Sequence, residues 1–183
     1  MNYSLEKLIS FYKEVELYDE SVFDGIIKRL KVIPNNLVKN DFFGVFPKID
    51  GNGLLYDFVI CVPKINDLNS FLVNLHEFAH AICLYKNLGK VFKVKFMDEV
   101  LPKALERIYL NNNEDLETIK KYDQKDLEKY ETTPSTNHKN AIFMQFLVAK
   151  NYEDTKTVTI SYSQKLPDIN TRDKIVKSFL KHS

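Results

Sequence analysis

His76-Glu77-Phe78-Ala79-His80 sets two imidazoles four residues apart, with a carboxylate directly after the first. Residues i and i+4 of an α-helix share a face about one turn apart, so both rings can close on a single ion. This is the His-Glu-x-x-His spacing, in which the histidines hold zinc and the glutamate acts as general base toward a water. At this content of His and Glu a chance match would arise in roughly 1% of chains, so coincidence is a poor explanation. A core role for the pair is costly too. Two imidazoles and a carboxylate on a core-facing helix are expensive to bury without a metal or hydrogen-bond partners. Two histidines leave a catalytic zinc short of its usual three protein ligands, and the third must come from elsewhere. Glu99 and Glu106, at i and i+7 on one face of a downstream helix, are the candidates; Cys83, three residues past His80, falls outside the usual pattern.

The motif needs a helix, and the surrounding residues supply one. Phe71, Leu75, Phe78, Ile82 and Tyr85 form an apolar seam, with Leu72, His76, Ala79, His80 and Cys83 on the neighbouring stripe. Asp67 or Asn69 can cap the start, and Gly89 can close the end. Upstream, Phe42–Ile49 and Leu54–Val62 are β-runs around Asp50-Gly51-Asn52-Gly53, which predicts a hairpin leading into the histidine helix. Pro47 cannot donate to a ladder, so its strand belongs at an edge or ends there. Such an edge could offer an extended peptide a pairing surface beside the metal, or the strands could simply be internal sheet.

The remaining periodicity is mainly helical. Helices are predicted over Ser4–Tyr18 and Ser21–Lys31, the second stopped by Pro34. Phe92, Val94 and Phe96 alternate with lysines as a short extended segment. Asp98–Leu110 then reads as a helix with its acids and Pro102 in the first turn. Glu114–Tyr130 reads as amphipathic, with Leu116, Ile119, Leu127 and Tyr130 inward and its charges on a solvated face. After a polar break around Pro134, His138 precedes the apolar run Ala141–Ala149, a buried-helix pattern. Residues 155–163 hold a β-branched run that reads as either a strand or a tail, and 171–181 read as a terminal helix.

With 183 residues, 44% hydrophobic and 28% charged, the chain is expected to form one domain spanning 1–183 with a substantial core. A formal charge of +1 gives no footprint for nucleic acid, and no apolar run reaches the length of a membrane span. The first residues lack a basic region followed by an apolar one, and two cysteines are too few for a disulfide framework. Together these lead to the expectation of a cytoplasmic protein with reduced thiols. They leave the oligomeric state open.

The motif, eighteen intervening residues and then Glu99 resemble the gluzincin metallopeptidases, at the spacing found in zinc aminopeptidases. Glu99-x-x-Pro102-x-x-x-Glu106 is similar to the oligoendopeptidases of the thimet oligopeptidase type, in which the proline stands one position nearer the ligand. The resemblance implies an α+β, mainly helical, zincin-like domain with a small hairpin or sheet before the motif helix. It implies Zn2+ held by His76, His80 and Glu99, and Glu77 as base in peptide-bond hydrolysis. Oligoendopeptidases also carry a His and a Tyr that bind the transition state in a loop before a late core helix. The corresponding candidates here are His138 and Tyr130, for which capping or surface roles are the simpler alternatives. Those peptidases are several times longer, so their substrate-size filter does not carry over. Two other readings fit the same motif: a small regulatory zinc protease that cleaves a repressor-type protein, and a zincin-derived domain that keeps its metal for structure and binds a partner.

Overall fold

The computed structural model describes residues 3–34, 43–92 and 99–132. It is a mixed α+β chain with a small sheet ahead of its central helix. One compact unit runs to Asp98, and a second begins at Glu99.

Helix α1 (Leu5–Glu14) starts at Ser4, whose hydroxyl accepts the Lys7 amide, and buries Leu8, Phe11 and Tyr12. Helix α2 (Glu20–Ile27) is capped in the same way by Asp19 and buries Val22, Phe23 and Ile26. It is shorter than the periodicity predicts. Leu30–Ile33 leave the helix and form strand β1, which runs parallel to a later strand. Strands β2 (Gly44–Ile49) and β3 (Leu55–Pro63) form the expected antiparallel hairpin, giving the order β1-β3-β2. Pro47 therefore stands on an edge strand, where its missing N–H costs least.

The hairpin turn is built by Asp50, whose carboxylate accepts the amides of Asn52 and Leu54, and by Gly53 at φ 81°. Next to it the register shifts, since Lys48 faces Asp57 but Ile49 faces Leu55. The extra residue is Tyr56, which is 60% exposed. This bulge explains why Leu55 and Phe58, three residues apart, are both fully buried on a strand of period two. Beyond it the alternation is regular: Phe58, Ile60 and Val62 face the core.

Helix α3 (Leu68–Tyr85) carries the motif and packs on β3, β2 and α2. Asp67 and Ser70 form a reciprocal capping box, so one of the two expected caps is used. The predicted seam is buried at Phe71, Leu75, Phe78 and Ile82. Tyr12 and Phe23 bring α1 and α2 onto it, with Tyr12–Phe23 and Phe23–Phe78 ring centroids 5.2 and 6.0 Å apart. At the far end, Gly25 lets α2 approach α3 closely; a Cβ there would lie 2.0 Å from the Tyr85 ring. The helix stops at Tyr85, where Asn87 Nδ2 donates to the Cys83 carbonyl. Gly89, at φ 77°, lies beyond it and donates its amide to Leu55, closing the turn rather than the helix itself. Val91 bridges to Leu54; the rest of the predicted extended segment, from residue 93 to 96, lies outside the described residues, as do 97 and 98.

In the second unit, α4 (Val100–Asn113) is buried along most of its length and is followed by α5 (Leu116–Thr132). The sequence expectation for α5 needs correcting. Leu116, expected inward, is 65% exposed, while Asp123 and Asp126, expected in solvent, are 5% and 4% exposed. The reason is local: both aspartates meet cations from α4. The apolar run 141–149 and the segments after it lie outside the described residues, and no helix among those described is long and apolar enough to cross a membrane.

Candidate metal centre

Three buried contacts place the motif on its helix. Asn74 Nδ2 donates to the Pro63 carbonyl at the end of β3 (2.9 Å) and to Ser70 O (2.8 Å). Tyr12 donates its hydroxyl to the Leu75 carbonyl at 2.7 Å. These tie the turn just before His76 to the sheet and to α1, so the imidazoles project from backbone that is anchored on two sides.

From that turn, His76 and His80 point at a common position. Their Nε2 atoms are 3.2 Å apart and their rings are inclined at 71°. Two ligands at about 2.05 Å from a tetrahedral ion lie about 3.3 Å apart, so the observed separation suits nitrogens sharing one zinc. A direct imidazole–imidazole hydrogen bond would have a similar length, with one ring as donor and the other as acceptor. The third group favours the metal. Ligand atoms of His76, His80 and Glu99 all lie within 4.8 Å of one another, with His80 buried and the other two half-buried. Among the described residues this is the one such group of histidine, cysteine or acidic side chains; half-buried Cys83 is not part of it. Two imidazoles and one carboxylate are a donor set for zinc, whereas magnesium and calcium take oxygen ligands.

Glu99 owes its position to the start of α4. It stands at the N-cap with φ −79° and ψ −9°, already helical, and its side chain makes no capping bond. Its carboxylate is thus not spent on the helix's own first amides, the usual fate of a short acidic side chain at that position. Glu106, the other candidate, goes elsewhere: its Oε2 accepts Lys103 Nζ at 2.7 Å, in surroundings where both side chains are buried. The i, i+7 separation from Glu99 is about 10 Å along the axis, which explains why one ion cannot use both.

Around Glu106 is a group of charges: its pairing with a nearby lysine is what the sequence predicts for the glutamate left off the metal, whereas the part played by Asp123 and Asp126 is not legible there. Lys103 Nζ is also 3.8 Å from Asp126 Oδ1, and Arg107 pairs with Asp123. Burial works against the Lys103 ammonium, but Glu106 and Asp126 outweigh it and hold its pKa above the usual lysine range. Burial raises the pKa of Asp123, with Arg107 opposing it. Burial, reinforced by repulsion from Lys103, pulls Lys129 down. A signal existed in the sequence, since Lys103, Glu106 and Arg107 interrupt an otherwise apolar helix at spacings of three and four.

Glu77 is half-buried on α3, next to His76. Tyr130 falls in α5, and His138 lies outside the described residues. Comparisons of the chain with protein-family models, with curated proteins and with solved structures return no match.

Proposed function

We propose that the chain is a zinc-dependent peptidase of the zincin type, with a gluzincin-like ligand set of His76, His80 and Glu99. The observation that carries this reading is that the two histidines of a His-Glu-x-x-His helix and the downstream Glu99 bring ligand atoms within 4.8 Å of one another. Zinc, when bound, supplies the Lewis acidity that polarises a peptide carbonyl and makes a water acidic. Glu77 takes a proton from the attacking water as its oxygen bonds to the carbonyl carbon. The same carboxyl then gives that proton to the departing amine as the C–N bond breaks. Charge developing on the carbonyl oxygen calls for a hydrogen-bond donor, the role proposed for Tyr130 or His138. The substrate is a peptide or protein, and the expected compartment is the cytoplasm.

Glu77→Gln tests the chemistry. The amide keeps the shape of the side chain but cannot accept the proton, so the variant is expected to retain zinc and lose nearly all cleavage of a peptide mixture followed by mass spectrometry. Cleavage at the wild-type rate would remove Glu77 from the role of base. A short sheet directly before the motif helix also suits the smaller regulatory proteases. Cleavage of folded repressors, without cleavage of short peptides, would select that narrower reading. A protein that holds zinc and cleaves neither would be the binding domain.

A further inference from the structure

Among the described side chains of α5, the buried ones are Asp123 and Asp126, while Leu116 and the helix's glutamates are exposed. The two aspartates stand three apart on one stripe and meet cations four apart on α4: Asp126 lies 3.8 Å from Lys103, and Asp123 pairs with Arg107. That order makes the two helices antiparallel. What the described part of α5 buries on α4 is therefore charge, where a permanently docked helix would bury an apolar stripe.

Ion pairs taken out of water contribute little net stability, because desolvation of both partners offsets their attraction. Asp123 shows that balance, since burial raises its carboxyl pKa despite the guanidinium beside it. Arg107 adds to the cost: its buried Nε has no hydrogen-bond partner among the described residues. Separating the helices, by contrast, exposes charged groups that water accepts, and Lys103 still has Glu106 of its own helix at 2.7 Å. We propose that α5 is a detachable strap, whose two aspartates fix where it docks on α4 while leaving it able to open without unfolding the rest of the chain. The pairs supply position rather than strength. A slip of one turn would bring one aspartate to a cation and strand the other, so α5 returns to a single register. The inference concerns α4 and α5 alone and does not depend on a bound metal.

Hydrogen–deuterium exchange of the full chain, read by mass spectrometry on peptides from α3 and α5, tests this. Amides of α5 are expected to exchange at least about tenfold faster than those of α3, as in a segment that opens below the global unfolding free energy. Asp123→Asn leaves the Arg107 guanidinium buried without its counter-charge and is expected to speed exchange in α5 about a further tenfold, with α3 unchanged. Replacing both partners, Arg107→Leu with Asp123→Leu, removes the charge from both sides and is expected to slow α5 to the wild-type rate or below it. A helix held in place by the strength of its ion pairs predicts the reverse. Exchange in α5 as slow as in α3, a rise in α3 that keeps step with α5 in Asp123→Asn, or a double variant whose α5 exchanges faster than wild type would each overturn the proposal. Should Asp123→Asn be recovered unfolded, wild type against the double variant still decides.

Discussion

Asn74→Ala is expected to be the most destabilising polar substitution around the motif helix. Its Nδ2 donates two buried bonds, but they are not equivalent. Ser70 O remains the acceptor for the helix's own backbone, whereas Pro63 O is left beside a vacated position at the end of β3. Losing the bonds and leaving one buried carbonyl poorly satisfied is expected to cost about 2–3 kcal/mol. For a chain of this size that is roughly 4–12 °C in Tm. Tyr12→Phe provides the internal scale: it removes one hydroxyl from Leu75 O, another helix acceptor, and should cost about 1 kcal/mol. Both are read from urea unfolding of the metal-free protein followed by circular dichroism. Asn74→Ala losing less than Tyr12→Phe would refute the argument that the α3–β3 tether dominates the placement of the motif turn.

Other expectations are narrower. Glu99→Ala should abolish tight zinc binding and Glu106→Ala should cost about tenfold, both read with a competing chelator; the reverse order would exchange the two roles. Lys48 and Arg29 hold the Asp57 carboxyl down at about 2. A depressed carboxylate stabilises the fold above its unfolded pKa and loses that contribution as pH falls, here from about 4 through 2. Its contribution is at most about 1 kcal/mol, because the pair is on the surface. The Tm difference between wild type and Asp57→Asn should therefore shrink across that window, and a constant difference would count against the pair.

Local chemistry made much of this fold legible. The Asp67 cap, the apolar seam of α3, the Asp50–Gly53 turn and the edge placement of Pro47 each follow from what those residues can do within a few positions. What was not legible depended on distant partners. Leu30 continues the helical spacing of Ile26 and Ile27, yet it enters β1 because Ile60, thirty residues away, offers a parallel ladder. Asp123 and Asp126 look like solvent-facing charges until Arg107 and Lys103 stand opposite. For the site, the motif spacing announced His76 and His80, and the downstream acids narrowed the third ligand to two. Between those two the eighteen-residue spacing pointed to Glu99, which lies with the histidines, while Glu106 pairs with Lys103.

The central claim is that His76, His80 and Glu99 form a zinc site. Its most direct test is the metal content of protein prepared without chelators, supplied with zinc and freed of excess, measured by elemental analysis. Wild type is expected to carry about one equivalent and His80→Ala essentially none. Wild-type protein that emerges folded and without zinc would contradict the account.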